Sequence, residues 1–329
     1  MSIKPIQNDM CILIASHISD TSRLSFLKEC IDSLIAQTIQ VPIHISVSFS
    51  MSSIHNTFND LILKYSHWVQ LDLLNVHVRD TPTPQMRHYQ LLLQEITDSN
   101  RPTWIMFCDD DDIYTATRVE QFVATIKQDS LIVNEISKKM YAGLYENTHG
   151  KSHQDMRHEY WSYCIHTSIL EAFFATLIKH PIILDNKCCD VLFAEYLRRL
   201  SDTWVFSILQ GTYYEYRVEE NANSITGFIK SKQSIYTTNN APPSMGDDAW
   251  LDYVIGWNDY LHENMHIYMH DTYLLALVGM SFDNIVRREF RGNYSIIDYV
   301  DQSHITKLRD VYDSVRSVCQ EIYHIPILK

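Results

Sequence analysis

The chain has 329 residues, 46% of them hydrophobic, which is enough for one large domain with an appendage or for two modest domains. A net charge of −13 and a pI near 5.6 exclude the basic footprint of a general nucleic-acid binder and weigh against adhesion to anionic lipid. Seven cysteines, with no C-x-x-C pair and an adjacent Cys188-Cys189, read as reduced thiols of a cytosol-like compartment rather than a disulfide framework or zinc site.

The stretch from Met1 to Asp9 has no basic n-region leading into a signal peptide. The apolar runs Met10 to Ala15 and Tyr273 to Phe282 are too short to span a bilayer, so a soluble, cytoplasmic protein is expected. Met10 to Ala15 predicts a first strand. A polar loop, Ser16 to Arg23, leads to an amphipathic helix over Leu24 to Thr38, where Leu24, Leu27, Ile31, Leu34 and Ile35 recur at helical spacing. Strands follow at Ile43 to Phe49 and Gln70 to Val78, with helices at Phe58 to Tyr65 and Thr83 to Ile96. A fourth strand spans Trp104 to Cys108. This alternation implies an α/β fold with a mixed, mostly parallel sheet flanked by helices.

Further along, Thr115 to Lys127 reads as a helix, and Leu131 to Asn134 and Lys139 to Tyr145 as strands. Helices are expected at His166 to Lys179 and Cys189 to Leu200, and two short strands within Thr203 to Tyr216. Residues 237–244 form the clearest turn cluster. A boundary between Gly227 and Ser244 divides a sheet domain, about 1–230, from a mainly helical extension, 231–329. The extension includes helices at Asp248 to Leu261 and Ile305 to Tyr323, which cover the sheet domain, shape the acceptor side or mediate self-association as a homo-oligomer.

Asp109, Asp110, Asp111 and Asp112 directly follow the apolar run Trp104 to Cys108. A buried strand ending in charge delivers these carboxylates to a sheet edge, where α/β enzymes place their chemistry. Four carboxylates this close repel one another and call for a cation, and hard oxygen donors select Mg2+ or Mn2+. A divalent metal holding a phosphorylated ligand is the expectation, and a solvated acidic turn is the alternative.

Four elements in order resemble the family-two-like nucleotide-sugar glycosyltransferases with the GT-A fold. Leu27 to Thr38, LKECIDSLIAQT, is similar to the "LxxCIxSLLxQT" first helix. Met86-Arg87-His88 resembles the "ARN" element, and Phe107 to Ile113 the "FLDxDDI" metal motif. Tyr216-Arg217-Val218 with Asn223 to Ile225 resembles the "YRxxxxS" end, so the likeness covers about residues 10–228. It implies metal-dependent transfer of a sugar from a nucleoside diphosphate, UDP by default, to a hydroxyl of a glycan, protein or lipid-linked acceptor. The D-x-D pair is then Asp109 and Asp111, with Asp111 the main metal ligand, Asp109 on the ribose or metal, and Asp112 orienting a metal-bound water. Asp110 counts with the donor-binding residues.

Asp190 is the candidate base for an inverting displacement. It opens an apparent helix resembling an "EDxxxxxRL" element whose usual Glu is Cys189 here, with Asp185 nearby; a plain helix cap is the alternative. Arg87 is a diphosphate or ribose contact or a surface ion pair, and Arg217 meets the diphosphate or forms a structural pair. The second strand ends in Ser46, Ser48 and Ser50, where the resembling family has a base-reading Asp. Tyr160, Trp161 and Tyr163 form either a sugar platform or core.

His262-Glu-Asn-Met-His266, with His270, matches H-E-x-x-H, for which a polar helical face is the alternative. A haloacid-dehalogenase-type phosphatase, with Asp109 and Asp111 in its nucleophile loop and Gly246 to Asp248 and Asp252 as its later acidic motif, competes with the transferase. So does a nucleotide-sugar-binding module without turnover.

Overall fold

A computed structural model describes residues 6–96, 101–136, 139–153, 155–200, 204–217, 246, 248–289 and 297–323. The chain divides into two compact units, Met1–Arg217 and Val218–Lys329. The boundary expected between Gly227 and Ser244, the turn cluster 237–244 and the Asn223 to Ile225 element lie outside the described residues.

The first unit opens with a β1 strand, Met10–Ile18, buried along nearly its whole length. It continues through α1 (Arg23–Ile35), β2 (Ile43–Phe49), α2 (Ile54–Leu63), the short α3 (Ser66–Gln70), β3 (Leu74–Val78), α4 (Gln85–Glu95) and β4 (Trp104–Asp109). β1 pairs in parallel with β2 on one side and β4 on the other, and β2 with β3. The chain next forms β5 (Ile113–Tyr114), α5 (Arg118–Ile136), β6 (Met140–Glu146), a 3-10 turn (Tyr160–Ser162), β7 (Tyr163–His166), α6 (Thr167–Leu177), α7 (Pro181–Leu184), α8 (Cys189–Arg199), β8 (Trp204–Leu209) and β9 (Tyr214–Glu215). The main sheet has the order β3-β2-β1-β4-β7-β6-β8, and β5 pairs with β9 in a second, two-stranded sheet.

Within the main sheet only β7 runs against its neighbours, β4 and β6. This is the mixed, mostly parallel sheet flanked by helices that the sequence predicts. Strands buried on both faces explain its near-continuous apolar runs. Gly143 of β6 lies against β7 at φ +130°, and a Cβ there would stand 2.0 Å from the Cys164 carbonyl oxygen, so no larger residue fits. The core joins Ile12, Ile14 and Ile45 of the sheet to Leu27, Ile31 and Phe58 of the helices. All seven cysteines are free thiols, and all are buried.

Several elements depart from expectation, among them the third strand, which begins at Leu74 rather than Gln70 because Gln70 closes the short helix α3. Leu131 to Asn134 belongs to α5, not to a strand: from Arg118 to Ile136 there is no Gly or Pro to stop a helix once nucleated. The polar loop set at Ser16 begins only after Ile18, since Ser16 faces a polar partner from within β1. β7 was not foreseen at all; it is four residues long and runs straight into α6.

The second unit carries helices at Asp248–Leu277, Phe282–Glu289 and Gln302–Tyr323. Tyr273 and Leu277 are buried, as expected of the Tyr273 to Phe282 run. No described helix is long and apolar enough to cross a membrane.

Candidate active site

The sheet grows from β1 outward to β2 and β3, then returns to place β4 on the other side of β1. The crevice beyond the carboxyl ends of β1 and β4 is thus a topological switch point, the place where open α/β sheets bind ligands. Ala15 and Asp109 are partners in register, so the aspartates emerge beside the last residues of β1. The chain turns at once, with Asp112 N–H donating to the Asp109 carbonyl at 3.2 Å. β5 then pairs Ile113 with Glu215 and Tyr114 with Tyr214, which brings Tyr214 of β9 to the turn. Gln37, at the end of α1, clamps the following segment by donating to the Thr115 carbonyl (2.8 Å) and accepting from Val119 N–H (3.1 Å).

The four carboxylates have different surroundings. Asp110 is buried; its oxygens accept from the Ser16 hydroxyl at 2.6 Å and from Arg23 Nη2 at 2.5 Å. Arg23 also reaches Asp111 Oδ2 at 3.7 Å. Asp109 is half-buried and accepts from the Tyr160 hydroxyl and from Gln85 Nε2 at 2.8 Å. Asp112 is wholly buried, with one oxygen accepting from the Tyr214 hydroxyl at 2.8 Å and the other from Arg217 N–H at 2.9 Å. Tyr214 also accepts from Asp109 N–H at 3.0 Å, so one hydroxyl ties the two ends of the turn together.

Asp109 and Asp112 are therefore held by neutral donors. Burial, followed by the charge of Asp112, pushes the Asp109 carboxyl well above the usual carboxylate range, and burial pushes Asp112 up to about 7. Burial raises Asp110 too, against the opposing charge of Arg23. A cation placed beside Asp109 or Asp112 would oppose that shift and favour the ionised form.

A divalent ion is tested by this donor set. Carboxylate oxygens are the hard donors that Mg2+ and Mn2+ prefer, and the uncompensated charge at Asp109 and Asp112 fits a cation. Among the described residues, however, no group of three or more His, Cys, Asp or Glu side chains is placed to hold a metal. Asp112, expected at the metal as the residue that orients a bound water, has both oxygens engaged and braces the turn between Tyr214 and Arg217. The half-buried Asp109 and Asp111 remain as a two-carboxylate set of the kind that holds such an ion together with phosphate oxygens and water.

Asp190 lies in the first turn of α8, which packs against the 3-10 turn that begins with Tyr160. Its carboxyl is pushed up to about 6 by burial and then by the charge of Glu159, the residue before Tyr160. A carboxylate tuned to that range is competent to take a proton near neutral pH. Arg87 is engaged with Asp185 (Nε to Oδ1, 2.9 Å) and with Gln90 (Nη1 to Oε1, 2.8 Å). This is the ion-pair alternative for Arg87. Arg217 joins the site through its backbone, while its guanidinium pairs with Glu29 and lies 5.4 Å from the Phe26 ring centroid.

The aromatic segment divides: Tyr160 and Tyr163 are buried, whereas Trp161 is half-buried and stacks on Tyr214 at 4.1 Å and 11°. The serines of β2 join a polar ladder. His88 contacts Ser46 Oγ at 2.7 Å and Ser48 Oγ at 3.1 Å, and His17 contacts Ser48 Oγ and Ser50 Oγ at 2.8 and 2.9 Å. Burial lowers the pKa of both histidines, that of His88 to about 3, so both are neutral at pH 7.

Ser16, Arg23, Gln85, Tyr214 and His17 were not singled out in the sequence. Ser16 and Arg23 entered the sequence reading only as the bounds of a polar loop. In the second unit a kink at Asn264 interrupts the helix between His262 and His266, and His270 follows beyond it. Asp248 opens that helix, and Asp247 and residues 237–245 before it lie outside the described residues.

No protein-family model and no curated protein matches this sequence. Among solved structures, the chain is similar to a crystal structure of S. aureus TarS, at TM-score 0.43 and 11% identity, covering 95% of this chain and 54% of that one. It is also similar to S. aureus TarS 1-349 in complex with UDP, at TM-score 0.42 and 12% identity over 95% and 89% of the two chains. A 4-diphosphocytidyl-2C-methyl-D-erythritol synthase from Anaerococcus prevotii gives TM-score 0.40 and 10% identity over 68% and 100%. At such values the likeness assigns no activity to this chain.

Proposed function

We propose that this chain transfers a glycosyl group from a nucleoside-diphosphate sugar, with UDP the first carrier to test, to an acceptor hydroxyl. The observation that carries this reading is the pair of uncompensated carboxylates, Asp109 and Asp112, at the switch point between β1 and β4. Asp109 and Asp111 would hold Mn2+ or Mg2+. The ion would supply Lewis-acid stabilisation of the charge that grows on a leaving diphosphate.

The protein's own groups do the rest. Gln85 and Tyr160 fix the Asp109 carboxylate, Arg23 orients Asp110 and Asp111, and Tyr214 holds the turn closed. Ser50 and His17, at the ends of β2 and β1, offer hydrogen-bonding groups to a nucleobase where no Asp is present. Asp190 takes the acceptor proton in a direct displacement, which inverts the anomeric centre. A product with the donor's configuration would refute that assignment.

The test of the whole reading is calorimetric titration of UDP, GDP and their sugars, each with manganese and with EDTA. Metal-dependent binding of one nucleotide supports the transferase. Binding of none, with phosphate release from a monoester, replaces it by the phosphatase reading. Binding without donor hydrolysis or transfer leaves the non-catalytic module.

A further inference from the structure

Three aromatic rings run from the aspartate turn toward solvent. Tyr214 is buried with its hydroxyl on Asp112; Trp161 stacks on Tyr214 at 4.1 Å; and Tyr216 stacks on Trp161 at 5.7 Å and 19°. Trp161 is fixed from behind, since Arg118 Nη2 donates to its carbonyl at 2.8 Å and the Arg118 guanidinium lies over the Tyr214 ring at 4.8 Å. Tyr216 thus has a rigid backing, yet 54% of its surface stays exposed. An aromatic ring held in plane and left open is an expensive way to meet water and a good way to meet a flat apolar ligand face.

Its surroundings narrow the ligand. Trp161, on which Tyr216 stacks, belongs to the 3-10 turn Tyr160–Ser162, and that turn packs against α8, the helix whose first turn carries Asp190. The ring and the candidate base thus adjoin one and the same turn. His17 and Ser50, the groups proposed for the nucleobase, stand at the β1 and β2 ends and take no part in this aromatic stack. A ring in an anionic field favours a partner face lined with weakly positive C–H groups, which a pyranose presents and an acyclic polyol does not hold in one plane.

We propose that Tyr216, backed by Trp161, is the acceptor platform, and that the acceptor is a pyranose whose apolar face stacks on Tyr216 with a hydroxyl turned toward Asp190. This rests on the transferase reading for its consequence, though not for the binding it claims.

The experiment is saturation-transfer NMR of the full chain with cellobiose, chitobiose and maltose, and with ribitol as the acyclic control. It compares the natural protein with Tyr216→Phe and Tyr216→Ala, and manganese-dependent UDP binding is measured in parallel. The expected result is transfer to the ring C–H protons of at least one disaccharide and none to ribitol. The signal is retained by Tyr216→Phe and weakened about fivefold by Tyr216→Ala, with UDP affinity unchanged. Equal signal in Tyr216→Ala, or no disaccharide signal at all, overturns the proposal. So does a loss of UDP affinity in Tyr216→Ala with the sugar signal intact, which would make the ring a nucleobase platform. A Tyr216-dependent sugar signal in a protein that binds no nucleotide would sink the transferase reading and leave the platform standing.

Discussion

Two buried charge clusters lie within the first unit and solve the same problem in opposite ways. Arg118 and Glu146 are fully buried and form an ion pair, with Trp161 and Tyr213 backbone groups taking part of their remaining hydrogen-bonding capacity. One cation meets one anion, and the Tyr114 ring 4.0 Å from the guanidinium completes the enclosure. At the Asp109 to Asp112 turn, Arg23 serves Asp110 and Asp111 while Asp109 and Asp112 have neutral donors. The two clusters are also connected, because Arg118 steadies Trp161 and Tyr214 from below.

Breaking the balanced cluster should have the largest effect. Arg118→Met leaves Glu146 buried without its cation and is expected to cost about 3–5 kcal/mol in urea unfolding, most of it recovered when Glu146→Leu is added. If the double change recovers nothing, Arg118 matters chiefly for its aromatic contacts. At the unbalanced cluster the same kind of change should cost binding instead of stability. Asp111→Ala is expected to weaken manganese-dependent UDP binding by about tenfold or more, with the unfolding midpoint held or raised. Unaltered affinity would take Asp111 out of the site.

Acidity sharpens the contrast further. Asp112 rises from the ordinary 3.8 to about 7 and Asp109 and Asp110 also rise, so the folded state keeps protons that the unfolded chain has released. Their contribution to stability is whole below the unfolded value and is lost as pH climbs through the folded one. Manganese should therefore raise the melting temperature more at about pH 7.5 than at about pH 5.5. An equal rise at both would show that these carboxylates do not control metal binding. The smallest effect is expected from Tyr160→Phe, which removes one hydroxyl from Asp109. A loss of about 1 kcal/mol, or about 2–4 °C, with weaker manganese binding is the expected outcome.

Much of the parallel half of the sheet was legible in the sequence. Ile43–Phe49 falls where its alternating pattern put it, and the buried run before Asp109 ends at the sheet edge. Fully buried strands and one-faced helices carry periodicity that survives in a single sequence. What was hidden depended on pairing at a distance. The short β7 has no period of its own, and the partners of the aspartates come from residues 16, 23, 85, 160 and 214, far apart along the chain. Arg87 illustrates the reverse: a residue whose neighbours in sequence suggested an oxyanion contact is engaged with Asp185, which only the fold brings near.

The seven buried thiols give the chain a built-in clock. A thiol reagent labels none of them until the structure opens, so the rate of modification measures opening rather than reactivity. Six of the cysteines belong to the first unit and Cys319 to the second, so mapping the modified site tells which unit let go first. Cys30 and Cys108, whose sulfurs lie 3.6 Å apart beneath the Asp109 carbonyl, would report on the floor of the aspartate turn itself.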